Sequence, residues 1–215
     1  MTDMELKEFE CSQHVYALKS MAFHDSALFS WTFENDNGKN PVMNKARKYV
    51  DKWNDMLSKN IGLLLWGDVG TGKSYFAASI ANVLVEKCVS VRMTNFSSIF
   101  NDLFSNSEDK NKYIDRLNKH DLLIIDDLGI ERNTEYALEQ VYNIIDARYK
   151  SNKPLIVTTN LTLSELKNTT DTAHKRIYDR VLEMCVPIKF SGENFRHEKA
   201  ESKMKTLAKL FETEA

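Results

Sequence analysis

The sequence predicts an α/β protein: a five-stranded parallel sheet with helices on both faces. Three observations carry this. Short apolar runs alternate with segments of helical periodicity between residues 61 and 190, the order that parallel crossover connections produce. The runs "IGLLLW" (61–66), "LLIID" (122–126) and "PLIVTT" (154–159) show no polar face, as strands covered on both sides require. The first run passes directly into a glycine-rich turn and then a helix, and ligands of such sheets bind at the carboxyl ends of the strands.

Taken in order, residues 1–40 lack a sustained period and end in the polar cluster "ENDNGKN". They read as a short N-terminal arm before a core spanning 41–215. Asn40 and Pro41 predict a helix start, with Asn40 as cap and Pro41 in the first turn. Val42, Ala46, Tyr49, Val50, Trp53, Met56 and Leu57 continue it at helical spacing. After the first strand a helix runs from Lys73 to Cys88, followed by a second strand at 89–94. Polar and aromatic helical material fills 96–119. The third strand, 122–126, leads to a helix capped by Asn133 or Thr134 and ending near Lys150. The fourth strand, 154–159, precedes a capping box formed by Thr162 and Glu165. A helix over 171–184, a fifth strand at 186–190 and a charged helix complete the chain.

The 215 residues carry a formal charge of −2, with 42% apolar and 28% charged residues. That composition suits a folded, soluble protein, and any contact with nucleic acid must be local. The start "MTDMELKEFE" lacks the basic and apolar regions of a secretory signal. The apolar runs are too short to cross a bilayer. The expectation is a cytoplasmic protein with no membrane partner. Cys11, Cys88 and Cys185 lie far apart, and the histidines show no metal-binding spacing, which argues against a disulfide framework or a zinc site.

The chemistry begins in "GDVGTGKS", which matches GxxxxGK[ST] between a strand and a helix. Glycines let the backbone curl so that its N–H groups cradle phosphate oxygens, and the helix start adds its dipole. The candidate nucleotide-binding residues are Gly67, Asp68, Val69, Gly70, Thr71, Gly72, Lys73, Ser74 and, one position on, Tyr75. Lys73 brings a full charge to the β/γ-phosphates, and the Ser74 hydroxyl suits Mg²⁺. ATP and Mg²⁺ are therefore the expected cofactors. "IIDDLG" (124–129) supplies the second element. Asp126 ends the apolar run, on a strand expected beside the first, and is assigned to Mg²⁺. Side chains alternate along a strand, so Asp127 is free to orient or deprotonate the attacking water. Alternatively it caps the turn before Gly129.

The motifs "GDVGTGKSYFA", "LLIIDDLG", "LIVTTNLTLSEL" and "RIYDRVLEMC" follow one another in this order. Together they resemble the AAA+ ATPases of the DnaC type, bacterial and phage helicase loaders to which the transposition ATPase IstB is related. The resemblance covers roughly residues 31 to 198. It implies a three-layer P-loop core and a Mg-dependent ATPase, weak alone and completed by a neighbouring subunit. The chain departs from the family pattern after the fifth strand, where the sequence is too short for a full lid, so little or no lid domain is expected. By position, Asn160 matches the polar residue that holds the attacking water, with Thr158 and Thr159 as alternatives. Arg180, and secondarily Arg176, match the arginine finger that reaches a neighbour's ATP, and Arg196 the arginine of the second sensor. From spacing alone, Arg176 and Arg180 share a helix face, where a solvated pair with Arg180 touching Glu183 is the alternative.

The implied partners are a hexameric replicative helicase, further copies of the chain joined through ATP, and single-stranded DNA. A transposition helper ATPase, a module that modulates a host loader, and a small-molecule phosphotransferase are the rival readings. Relatives with a larger N-terminal helicase-binding domain differ from this chain, where about 40 residues precede the core. Within that arm, Trp31 and Phe33 either approach the adenine or pin the arm to the core. Phe96, Phe100, Phe104, Tyr113, Lys110, Lys112 and Arg116 combine aromatic and basic character, which suits single-stranded DNA. The helical spacing of the three phenylalanines equally suits a core face. On the C-terminal helix, Lys199, Lys203, Lys205 and Lys209 are balanced by acids and read as a solvated face.

Overall fold

The computed structural model describes residues 3–105, 109–129, 134–192 and 194–212. Its strands are β1 (Gly62–Gly67), β2 (Val91–Asn95), β3 (Leu122–Leu128), β4 (Leu155–Thr159) and β5 (Cys185–Phe190). All neighbours pair in parallel, in the order β2-β3-β4-β1-β5. The helices are α1 (Asp3–Ala22), α2 (Met43–Asp51), α3 (Trp53–Ser58), α4 (Lys73–Glu86), α5 (Phe96–Ser105), α6 (Lys110–Lys119), α7 (Glu135–Lys150), α8 (Leu163–Asn168), α9 (Thr172–Met184) and α10 (Phe195–Glu212).

Alternation along the strands divides the interior into two cores. Leu63, Leu65, Leu122, Ile124 and Ile156 pack with residues of α2, α3 and α4 on one face. Leu64, Leu123, Ile125, Leu155 and Val157 pack with α5 to α9 on the other. Both sides of each central strand are therefore apolar, which explains runs without a polar face.

Three local expectations change. Residues 3–22 form a helix, although the sequence shows no sustained period there. Its C-terminal part is anchored: Tyr16 meets the Phe29 ring at 5.7 Å, Leu18 packs on the core, Ala22 and Phe23 are buried, and Phe23 bridges to Met93 of β2. The helix expected from Asn40 starts instead at Met43 and breaks at Lys52, giving α2 and α3. The N-cap is Val42, which makes no side-chain cap bond, so neither Asn40 nor Pro41 takes the expected place. Asn40 instead shapes the turn before the helix, its Oδ1 accepting from Val42 N–H at 3.0 Å and its carbonyl from Met43 N–H at 3.1 Å. Finally, β3 does not lie beside β1, because β4 stands between them. Thr134 caps α7 by accepting from Ala137 N–H, and Asn133 lies outside the described residues. The Thr162–Glu165 capping box is present.

The arm is pinned by its aromatics. Trp31 stacks on Tyr75 at 5.7 Å, and the Tyr75 hydroxyl donates to the Thr32 carbonyl at 2.7 Å. Phe33 is buried beneath Arg47, whose guanidinium lies 4.6 Å from the ring centroid. The aromatics after β2 divide between the two readings. Phe96 and Tyr113 are core residues, and Phe100 packs half-buried on Phe96. Phe104 is 72% exposed and packs 5.6 Å from the Tyr136 ring, over which Lys110 Nζ sits at 4.6 Å. Among the described residues no helix is long and apolar enough to cross a membrane.

Candidate nucleotide site

The glycine-rich loop leaves β1 at the carboxyl edge of the sheet and is shaped by its surroundings. Gly67 takes φ +123°, and a side chain there would collide with the Phe190 carbonyl. Gly70 takes φ +79°, and a Cβ would strike the Asn194 side chain. Neither position accepts a substituent, so the motif's glycines answer to packing as well as to backbone freedom. Three elements hold the loop. Phe190 at the end of β5 accepts from Asp68 N–H at 3.1 Å, and Phe195 N–H at the start of α10 donates to the Gly70 carbonyl at 3.0 Å. From the other side, Asn40 Nδ2 donates to the Thr71 carbonyl at 3.1 Å. Thr71 itself ties the loop by donating its hydroxyl to the Asp68 carbonyl at 2.7 Å.

Lys73 opens α4 and is 6% exposed. Its ammonium donates to the carbonyls of Gly67 at 2.8 Å and Asp68 at 2.7 Å, so it lies across the loop. The N-cap of α4 is Gly72 in a left-handed conformation, with no side-chain cap bond. No capping side chain competes for the first-turn N–H groups of this 14-residue helix, the arrangement that receives an anion. Ser74 follows, partly buried, on that first turn.

The two aspartates owe their geometry to a β-bulge. The β3–β4 ladder pairs Ile125 with Val157 and Leu128 with Thr159, so Asp126 and Asp127 together oppose Thr158. Asp127 has φ +59°, a left-handed conformation that aspartate tolerates better than most residues. Simple strand alternation, the basis for expecting the two carboxylates to part, therefore does not apply here. Thr158 holds the bulge by donating its hydroxyl to Asp126 Oδ1 at 2.5 Å and accepting from Asp127 N–H at 2.9 Å. Its neighbour Thr159 donates to the Leu128 carbonyl at 2.7 Å. Both threonines are fully buried, whereas Asn160, one residue further, is exposed.

The charges respond to one another. Burial pushes the Asp127 carboxyl above its ordinary range, and the neighbouring Asp126 adds to this, while Lys73 and Arg196 oppose it. Burial lowers Lys73, and Asp127, Asp68 and Asp126 work against that in decreasing order. The loop lysine and the aspartate pair thus form one electrostatic centre. Arg196, in the first turn of α10, acts on both groups from the same chain.

The donor set fits Mg-nucleotide. The Ser74 hydroxyl and the Asp126 carboxylate are hard oxygen ligands. Mg²⁺ takes one or two such protein ligands alongside phosphate oxygens and water. A cavity of about 400 Å³ beside the loop is lined by Lys39, Asn40, Pro41, Thr71, Ser191, Gly192 and Phe195. Tyr75 faces the arm instead, as its bond to Thr32 shows.

Arg176 and Arg180 lie on α9 against α7. The two guanidiniums stand 4.4 and 4.8 Å from the centroid of the same ring, Tyr142. Arg176 Nη2 donates to the Tyr142 hydroxyl at 2.9 Å. Arg180 pairs with Asp146 at 2.6 Å rather than with Glu183, which accepts from the Tyr149 hydroxyl. Spacing alone did not identify Asp146, because it belongs to a different helix. Asn194 and Phe195 also went unassigned in the sequence reading, since their contact with the loop depends on how the chain turns after β5.

Comparison with known proteins bears on the family and the fold. Residues 24–203 match the family model described as IstB-like ATP binding protein. The phage-like element PBSX protein XkdC of Bacillus subtilis (strain 168) is 31% identical over 161 residues, covering 71% of this chain and 60% of that protein. The replicative helicase loader DnaC of Escherichia coli (strain K12) is 29% identical over 148 residues, covering 67% of this chain and 58% of that protein. The chain thus spans about three fifths of the length of these relatives. A crystal structure of DnaI superposes with a TM-score of 0.66 at 24% identity, over 82% of this chain and 98% of that one, and so shares the fold.

Proposed function

The chain belongs to the family of IstB-like ATP-binding proteins, and from that premise we propose that it is a Mg²⁺-dependent ATPase that loads a replicative ring helicase onto single-stranded DNA. The observation that carries the enzymatic part is geometric: at the carboxyl edge Lys73 lies buried across the glycine loop after β1, and the Asp126–Asp127 bulge of β3 is held by Thr158. Loop amides, the α4 start and Lys73 bind the triphosphate. Ser74 and Asp126 hold Mg²⁺, which when bound offsets charge on the β- and γ-phosphates. Asp127, with its raised pKa, orients the attacking water and takes its proton. Asn160 assists at the water, and the cavity beside Asn40 and Phe195 receives the base. Thr158 keeps both carboxylates in place. Arg180, with Arg176 beside it, serves the nucleotide of an adjoining copy, so that ATP joins subunits and hydrolysis releases them.

The helicase partner is supported by the likeness to a replicative helicase loader. The exposed Phe104, with Tyr136 and Lys110, suits stacking and charge contacts with a single strand. The family description favours a second reading, a transposition helper ATPase with the same core chemistry and a transposase as partner. One experiment separates them: assemble the protein with a replicative ring helicase and score ATP-dependent loading onto single-stranded DNA. Loading lost in Lys73→Ala supports the loader. Stimulation only by a transposase supports the helper. For the composite site, mixing Arg180→Ala with Lys73→Ala should restore ATPase activity under conditions where mixed assemblies form.

A further inference from the structure

We infer that Asp146 is a positioning residue that holds Arg180 back within its own subunit and, because it keeps a second cation, lets Arg180 go at low cost when a neighbour's phosphates arrive. The inference rests on the trans role proposed for Arg180. Arg180 Nη2 stands 2.6 Å from Asp146 Oδ1, and Lys150 Nζ stands 2.7 Å from Oδ2 of the same carboxylate. Asp146 is little exposed, at 14% of its side chain, whereas Lys150 is 72% exposed. A carboxylate this covered is costly to leave unpaired. Shared between two cations, it retains Lys150 when Arg180 departs, and Tyr142 retains Arg176. The counter-charge stays on α7 while the guanidinium moves.

The hold on Arg180 is also incomplete. Among the described residues its buried Nε has no hydrogen-bond partner, and its approach to Oδ1 is an ion pair without hydrogen-bond alignment. Stacking against Tyr142 at 4.8 Å and Tyr149 at 5.7 Å keeps the side chain in place without satisfying its donors. A guanidinium short of acceptors gains most from a phosphate, two of whose oxygens can take both arms of its fork. Burial raises the Asp146 pKa, but the hydrogen bond from Lys150 and the charges of Arg180 and Lys150 outweigh it, and the net shift is downward. The carboxylate therefore stays ionised through the neutral range.

The test is the protein concentration that gives half-maximal ATPase activity, read with the turnover at saturation. Asp146→Asn should lower that concentration about 3-fold, the scale of one partly exposed ion pair, with turnover at saturation unchanged. Lys150→Ala leaves Arg180 as the sole cation on Asp146 and should shift the concentration upward. The opposite signs separate a holding role from a general loss of stability, which would move both variants the same way. An unchanged or raised concentration in Asp146→Asn overturns the inference. If that variant does not fold, Lys150→Ala decides together with its unfolding transition: a rise at unchanged stability supports holding, and no rise, or a rise that only tracks lost stability, overturns it. Arg180→Ala is the control for the underlying reading. If its activity equals that of the parent protein at all concentrations, the trans role fails. If it is inactive while Asp146→Asn and Lys150→Ala match the parent, only the holding role fails.

Discussion

Lys73 and Arg148 are both buried cations whose donors reach backbone carbonyls, yet they sit at opposite edges of the sheet and do different things. Arg148 is fully buried and bonds to the carbonyls of His120, Asp121 and Pro154, clamping the entries to β3 and β4 onto the end of α7. Burial lowers its pKa to about 10, still well above neutrality, so it remains charged. Lys73 uses two carbonyls, in a loop where side chains at Gly67 and Gly70 would collide with Phe190 and Asn194, and it feels the charge of three carboxylates, one of which burial has made more basic. Burial of charge therefore does not by itself mark a working site. What marks it is a cation with unspent capacity beside groups of opposite charge that are themselves perturbed.

This contrast predicts effects of different kinds. Asp127→Asn should lower ATP turnover by about 10²- to 10⁴-fold, the usual contribution of a positioned base, while ATP still binds. In the parent protein, turnover should fall with acid through a pKa above the ordinary aspartate range, because the base works only when ionised and burial raises its pKa. A turnover profile flat through that range would remove Asp127 from the role. Arg148→Met should cost about 3 kcal/mol of stability by orphaning several buried carbonyls, seen as a lower urea midpoint, with ATP affinity preserved below the transition. Loss of ATP binding in the folded variant would erase the distinction between the two edges. Thr158→Val keeps the shape but strands the Asp127 N–H, and should cost about 1–3 kcal/mol together with reduced turnover. Phe104→Ala should leave stability within about 0.5 kcal/mol and weaken single-strand affinity by about 10-fold if one base stacks there. An unchanged affinity would move the DNA contact elsewhere.

The sequence made one edge far more legible than the other. The loop motif is local, so its residues, its flanking strand and its helix could all be read in one stretch. The strands were equally readable, because burial on both faces leaves unbroken apolar runs. The bulge was not, since it exists only where Asp126 and Asp127 meet Thr158 on another strand. For the same reason β4 could not be foreseen between β1 and β3. The hold of Asn194 and Phe195 on the loop, and of Asp146 on Arg180, joins residues far apart in sequence. Arg148 went unnoticed because a helical arginine reads as a surface residue until its three carbonyl partners are seen. Helix α1 shows no period because periodicity detects a buried stripe, and among its described side chains burial is confined to the C-terminal end.

The most direct test is the ATP affinity of Lys73→Ala, measured by calorimetric titration on protein shown to be folded by its unfolding transition. The account predicts a cooperative transition and an affinity reduced by about 100-fold or more, the scale of removing a desolvated charge from its ionic partner. ATP binding at the parent affinity by the folded variant would contradict it.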